Sequence, residues 1–453
     1  KQFVKMIKRS KETVLSFADR YVDHTFVLSS AVINQVALGN IQPQEDSEDT
    51  IRFSKTYDQM LYAKLYDDVI KYDVIDPRLH ALRKSDLKLE YRSYNNQFKG
   101  MDQEDLCSFL TEKLSLSYTS LDLYYNCPFA FYVEKVLRIR KNKNELAIFV
   151  GNMFHHVLEE MLLKAQEEIT ILQIQECMQE FCRKNNNPFG VKMHFFMEKH
   201  AQDLYLILQT IQTQLKQSSF VQSGFEEQVS ITLENDYQTK LSGKIDKLLT
   251  YDLEGKTYAV VLDYKTGNTD FDYHNLFFGL NMQTLIYFYL YHKVGRPYQF
   301  GGAYLQRIFI NPLQYEKNTT KEELLWKQLQ WSGYTQEDQK VMFAVDNQVM
   351  QHTFLNRMRI KTDETLYDTA KKWVISDEIF HSLLKFVDGK IYEALENIEN
   401  GDFSVAPIRM DDIDACKYCS YQDLCFKQEK NYRQGMKVSS LSILEKAVKT
   451  NEK

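Results

Sequence analysis

The chain has 453 residues, with 56 Lys and Arg against 62 Asp and Glu, a formal net charge of −6. That balance excludes a basic coat protein for nucleic acid, although a local basic channel still suffices to steer a polyanion. Hydrophobic residues at 44% and charged residues at 26% exclude wholesale disorder, and the length is enough for two to three domains with a large core.

Residues 1 to about 110 read as mostly helical, broken by the acidic loop Gln42–Thr50. The chain begins with Lys and lacks a signal-peptide layout, so it reads as a fragment or a processed piece. A second unit starts near Ser115, where a Ser/Thr cluster leads into a helix through Leu121, Tyr124 and Tyr125. Helical patterns follow over Phe149–Ala165, Ile171–Cys182 and Ala201–Lys216. After Gly224 the period changes, and Glu227–Leu233, Lys240–Tyr251 and Thr257–Lys265 read as strands. A helix is expected from about Leu280 to His292, then a strand over Gly302–Ile308. Residues 317–360 read as a polar insertion with helical pieces, and long helical patterns run from Asp363 to Asn400. A charged tail closes the chain. The order implies an α/β layer arrangement. The longest nearly apolar stretch, Leu285–Tyr291, is too short to span a bilayer. We expect a soluble, cytoplasmic protein with no membrane association.

The most informative stretch is Gly243-Lys-Ile-Asp246 followed by Asp263-Tyr-Lys265. A hairpin turning at Glu254-Gly255 places Asp246 directly opposite Asp263, and strand alternation puts Lys265 on the face of Asp263. Two like charges in that position repel, and a divalent cation removes the conflict. Two carboxylates suit Mg²⁺, which takes its remaining ligands from water and phosphate. A neighbouring Lys then stabilises charge that develops on phosphorus-bound oxygen. Gln283 and Tyr287, four apart, share a face of the following helix. Gly255-Lys256-Thr257 imitates the end of a phosphate loop, but Thr250 stands where that motif needs Gly. A basic run, Arg138, Arg140, Lys141 and Lys143, reads as a solvated face.

Seven cysteines are present, three of them crowded into Cys416-x-x-Cys419-x5-Cys425, with Cys127 in Cys127-Pro-Phe as a distant fourth candidate. This is the layout of an intracellular metal site rather than of a disulfide framework. Four thiolates accept Zn²⁺ or an iron–sulfur cluster, and spacing does not choose between them. Cys107, Cys177 and Cys182 read as ordinary buried thiols.

Asp246 in G-x-I-D, Asp263-Tyr-Lys265 and Gln283-x-x-x-Tyr287 resemble the core of the PD-(D/E)xK nuclease superfamily, and Gly151-x-x-x-His155-x-x-Leu158-Glu159 is similar to a motif of its RecB-like branch. The resemblance implies a restriction-endonuclease-like mixed sheet flanked by helices. It also implies that His155, Asp246 and Asp263 hold Mg²⁺ (Mn²⁺ being an alternative), that Lys265 is catalytic, and that Gln283 and Tyr287 complete the site; His156 falls in a variable slot. The Cys-Pro-Phe before and the Cys triplet after this core resemble the iron staple of AddB-type nucleases. That implies a [4Fe–4S] cluster on Cys127, Cys416, Cys419 and Cys425. The Phe3–Phe17 stretch weakly resembles the last motif of superfamily 1 helicases.

The domains expected are a helicase-like remnant over 1–110, a nuclease domain over 115–430 and a tail over 431–453. By this resemblance the chain is an exodeoxyribonuclease acting on single- and double-stranded DNA with an AddA-type helicase–nuclease partner. It would cut the unwound 5′-ended strand in double-strand break repair and recombination. Two alternatives are a stand-alone exonuclease of the CRISPR-associated kind and a catalytically inactive DNA-gripping module.

Overall fold

The structure, a computed structural model, describes residues 55–72, 74–84, 91, 101–112, 114–139, 145–163, 169–185, 190–267, 272–313, 319–410, 413–425 and 427–435. The chain divides into two compact units, Lys1–Tyr94 and Asn95–Lys453. In the first, α1 (Lys55–Tyr72) precedes α2 (Pro77–Arg83). Asp76 caps α2 by accepting the Arg78 amide at 2.8 Å, with Pro77 at the position where its missing N–H costs nothing. Leu65, Leu79 and Leu82 form a small core there.

The second unit runs α3 (Gln103–Glu112), β1 (Ser115–Ser117), α4 (Tyr118–Asn126), α5 (Pro128–Phe131), α6 (Glu145–Leu163), α7 (Ile171–Lys184), α8 (Val191–Gln217), β2 (Val221–Thr232), β3 (Lys240–Leu253) and β4 (Lys256–Lys265). It continues through α9 (Gln283–Lys293), β5 (Gln299–Arg307), α10 (Lys321–Gln328), β6 (Trp331–Gln336), α11 (Gln339–Val345), β7 (Val374–Ile375) and α12 (Asp377–Glu399). Short elements β8 (Ile408–Met410), β9 (Ile413–Asp414), α13 (Gln422–Cys425) and β10 (Arg433–Gln434) close it.

Strands β1 to β7 make one mixed sheet. Strand β2 lies antiparallel along one edge of β3, from Val221↔Thr250 to Thr232↔Lys240. The other edge of β3 is shared. There β1 pairs in parallel with Lys240–Ser242, and β4 pairs antiparallel from Lys247↔Leu262 to Leu253↔Lys256. Residues 243–246 fall between these two partners, so the sheet is open along this stretch. The β3–β4 turn places Glu254 and Gly255 at φ 54° and 78°. Two successive left-handed residues form the tight turn whose twist matches a hairpin, and this fixes the register expected from sequence.

Apolar residues on the two faces of the sheet feed two cores. Leu121, Val261, Phe288 and Phe380 lie on the side of α4, α9 and α12, while Met153, Ile174, Leu204 and Leu262 lie on the side of α6, α7 and α8. Phe288 is fully buried, with ring centroids of Phe380 and Phe300 at 5.1 and 5.7 Å. Truncating such a ring to Ala costs about 3–5 kcal/mol. Leu106, Phe109 and Leu110 of α3 belong to the first core.

Several expectations need correction. Residues 319–360 contain the expected helical pieces, α10 and α11, but are no polar insertion: β6 joins the main sheet, and Trp331 and Tyr334 are fully buried. Only Asp377–Glu399 of the 363–400 stretch is a long helix; the residues before it form turns and the short β7. Helix α8 begins at Val191, ten residues ahead of the expected start at Ala201. Cys107 is exposed, whereas Cys177 and Cys182 are buried. A longer apolar stretch than Leu285–Tyr291 exists in Leu146–Leu163, which is long and apolar enough to cross a membrane by composition alone, at a mean hydropathy of 1.2. Its Met153, Phe154, Val157 and Leu158 are fully buried in the second core. Phe3–Phe17, Gln42–Thr50, Arg140, Lys141, Lys143 and residues 436–453 lie outside the described residues; Arg138 is exposed.

Candidate active site

Strands β3 and β4 diverge just past the Lys247↔Leu262 pair, and the fork begins with Asp246 on one prong and Asp263 on the other. Both are buried, at 7% and 2% exposure. The Tyr264 amide donates to Oδ2 of Asp246 at 2.7 Å, which ties the prongs together. Lys265 Nζ lies 2.6 Å from Oδ2 of Asp263. Gln283, the first residue of α9, donates through Nε2 to Oδ1 of Asp263 at 2.6 Å and to the Tyr287 hydroxyl at 2.8 Å. Its Oε1 accepts from Lys265 Nζ at 3.1 Å. One amide therefore links the carboxylate, the ammonium and the phenol. Gly243 lets α9 approach: a Cβ there would stand 2.9 Å from Leu290 Cδ1 and 3.0 Å from Tyr287 Cε1.

From the other face, α6 brings His155, whose Nδ1 lies 3.5 Å from Oε1 of Glu226 and 3.6 Å from Oδ2 of Asp246. Glu226 also forms an ion pair with Lys244. One ligand atom each from His155, Glu226 and Asp246 lies within 4.8 Å of the others. Sequence reasoning misses Glu226. It sits on β2 between Phe225↔Lys247 and Glu227↔Ile245, hence opposite Asp246, and its φ is 50°. A left-handed Glu in a strand is uncommon and marks a local constraint. The available signal is the Glu226-Glu227 doublet, but period-two alternation gives no hint of which carboxylate turns inward. Glu227 turns outward and pairs with Arg296 at 2.7 Å.

Burial, and then the charge of Asp263, push Asp246 up to about 7. Burial likewise raises Asp263, against the pull of Lys265. Burial disfavours the His155 imidazolium, but Glu226, Asp246 and Asp263 outweigh it and hold its pKa above the usual value. Burial opposes the Glu226 carboxylate too, yet His155 and Lys244 keep it below the ordinary range. The cavity is thus short of positive charge, and its donors are hard oxygens and an imidazole, a set that suits Mg²⁺ or Mn²⁺. On the opposite face of β3, Lys247 is fully buried, and burial lowers it to about 7.

Asp246, Asp263, Lys265, Gln283, Tyr287 and His155 all line one cavity of about 760 Å³, together with Glu226, Lys244 and Glu159. His156 also borders it, its ring 5.3 Å from that of Phe181, another lining residue.

The four cysteines line a separate cavity of about 570 Å³. Cys127 ends α4 as the residue before Pro128, and α13 supplies Cys425. The two ends of the unit meet around them. Tyr421 donates to Glu134 Oε2 at 3.1 Å, the Phe129 amide donates to the Ser404 carbonyl at 3.1 Å, and Arg433 donates to the Tyr125 carbonyl. Burial pushes the Cys127 thiol up to about 11, opposed by the amides of Ala130, Ala406 and Phe129. Burial raises Cys416 as well, with Tyr432 and Lys427 opposing.

Comparison with known proteins agrees with this geometry. Residues 115–426 match the model of the PD-(D/E)XK nuclease superfamily. The chain is 26% identical over 415 residues to the B subunit of the ATP-dependent helicase/deoxyribonuclease of Clostridium perfringens, covering 83% of this chain and 35% of that protein. It is 26% identical over 381 residues to the protein of the same name from Thermoanaerobacter pseudethanolicus, covering 76% of this chain and 32% of that protein. The chain thus spans about a third of the length of these curated relatives. With the family model covering more than half of its residues, the chain belongs to the PD-(D/E)XK nuclease superfamily.

Proposed function

We propose that this chain is the nuclease-bearing portion of the B subunit of an ATP-dependent helicase–nuclease, and that its carboxylate fork hydrolyses DNA with Mg²⁺. The observation that carries this reading is the convergence of Asp246, Asp263 and Glu226 from three adjacent strands upon His155 and Lys265. Asp246, Asp263 and His155 would hold the cation, which when bound polarises the scissile phosphate as a Lewis acid. Glu226 lies at the same Nδ1 of His155 that faces Asp246, and would share in holding the cation with them. Lys265, clamped by Asp263 and Gln283, presents a fixed positive charge where phosphate charge develops. Tyr287 fixes Gln283 through its hydroxyl.

The same reading takes residues 115–430 as the nuclease domain, 1–110 as a helicase-like remnant and 431–453 as a tail. It assigns an exonucleolytic cut of the unwound 5′-ended strand during double-strand break repair and recombination. An AddA-type partner fits the relatives' name, which describes one subunit of a larger enzyme, and the compartment would be the cytoplasm. A [4Fe–4S] cluster would be held by Cys127, Cys416, Cys419 and Cys425. The four thiols line one cavity, where the residues around Cys127 meet residues 416–425. The test is cleavage of end-labelled single-stranded DNA by the purified chain with Mg²⁺, with Mn²⁺ and with EDTA. The reading expects cleavage in the first two only, and cleavage in EDTA would overturn it.

A further inference from the structure

A second groove, of about 1180 Å³, opens between α10, residues 349–360 and Trp373. The chain has three tryptophans. Trp326 and Trp373 line this groove, and Trp331 is bridged to its lining residue Leu355. Trp326 stacks on the exposed His352 with centroids 4.4 Å apart and planes 22° apart. The Arg357 guanidinium stands 4.3 Å over the Trp373 ring. Tyr367, 47% exposed, offers a third aromatic ring. Among the described residues, the basic lining residues are Lys327, Arg357 and Arg359, against the acidic Glu323. In a chain of net charge −6 this is a local reversal of sign. Arg357 adopts φ 66°, a left-handed conformation that a long side chain takes only under constraint.

Register places the groove at the same end of the sheet as the carboxylates. Lys265 pairs with Arg307, the adjacent Gln306 pairs with Trp331, and Trp331 bridges to Leu355. Three strand spacings of about 4.8 Å put Leu355 roughly 14 Å from Lys265. A strand leaving the cutting site can reach that far within a few nucleotides.

We propose that this groove is a platform for single-stranded DNA, holding the strand on one side of the bond to be cut; the proposal rests on the nuclease reading of the fork. Flat aromatic rings bind bases whose faces are free, which a duplex does not offer, and the arginines and Lys327 meet the phosphates between them. Stacking of this kind tolerates any sequence, because every base has a π-face.

The test uses the full chain in EDTA with a fluorescein-labelled oligothymidylate of about 20 nucleotides, followed by anisotropy and by tryptophan fluorescence. The wild-type protein should bind with quenching of its tryptophans. Arg357→Glu combined with Arg359→Glu should weaken binding about tenfold or more and lower the salt slope by about 0.7 for each phosphate no longer neutralised. His352→Ala should reduce the quench. Asp263→Asn should abolish cleavage in Mg²⁺ while keeping binding and quench, which separates failure of the groove from failure of the fork. Unchanged affinity and salt slope in the double arginine variant would overturn the platform, as would equal competition by an unlabelled duplex.

Discussion

His155 Nδ1 lies 3.6 Å from Oδ2 of Asp246, although one side chain comes from helix α6 and the other from strand β3. Its neighbour His156 is about 100° further round the helix and packs beside Phe181. His155→Ala should therefore lose most Mg²⁺- and Mn²⁺-dependent cleavage, while His156→Ala keeps most of it. Initial rates on single-stranded DNA decide the matter. Equal losses, or the reverse order, would put the wrong ring in the site.

Glu226 lies beside the same Nδ1 of His155 as Asp246 and faces Asp246 across the sheet. Glu226→Gln keeps the shape and removes the charge. We expect cleavage to fall about 10- to 100-fold, because a charged oxygen beside the His155 and Asp246 ligand atoms is lost. The His155 pKa in the metal-free protein should also drop, because its principal charged partner is gone. Both are measurable, the first by rates and the second by NMR titration. A variant with unchanged rates would reduce Glu226 to a packing residue.

The carboxylate pair predicts a pH dependence in metal-free protein. Asp246 rises from the ordinary 3.8 to about 7, and Asp263 is also raised. Between about pH 4 and pH 7 the native state then holds more protons than the unfolded chain, so stability falls as pH rises. The raised pKa of His155 acts in the same direction, its contribution fading as pH passes the folded-state value. Lys247, lowered to about 7, works oppositely but only above that pH. Melting temperature in EDTA should decline from pH 5 to pH 7, and Mg²⁺ should restore it most at pH 7, where the carboxylates are free to bind. A rising melting temperature over this window would show that the two charges do not conflict.

The cysteines make a chemical prediction. Pure protein prepared without oxygen should be yellow-brown and contain iron and sulfide. Cys127→Ser should destabilise the nuclease domain about as much as Cys416→Ser, because either opens the same closure between chain ends held together by Tyr421–Glu134 and Arg433–Tyr125. Zinc in place of iron would reject the cluster, and full metal content with unchanged melting in Cys127→Ser would detach that residue from it.

Much of the fork is legible in the sequence because its rules are local. The Glu254-Gly255 turn sets the hairpin register, and the register brings Asp246 to Asp263. The Ser117 cap is equally plain, with the Ser120 amide donating to its hydroxyl at 3.3 Å. The features that are not legible depend on tertiary context. Strand β6 is mostly buried, so Trp331-Ser-Gly-Tyr-Thr-Gln336 shows no alternation, and the polarity of its neighbours imitates an insertion. The inward turn of Glu226 rests on a left-handed backbone angle and a register shift between Gln222 and Gly224, neither of which has a sequence signature in a glutamate.

The central claim is that the Asp246–Asp263 fork is a metal-dependent hydrolytic centre rather than a structural charge cluster. The most direct measurement is Asp263→Ala, assayed for Mg²⁺-dependent cleavage of end-labelled single-stranded DNA and, in EDTA, for melting temperature. Removing one of two repelling buried carboxylates should leave the metal-free fold as stable as wild type or more so, while cleavage is nearly abolished. Cleavage that persists at the wild-type rate in Asp263→Ala with Mg²⁺ present would contradict the account.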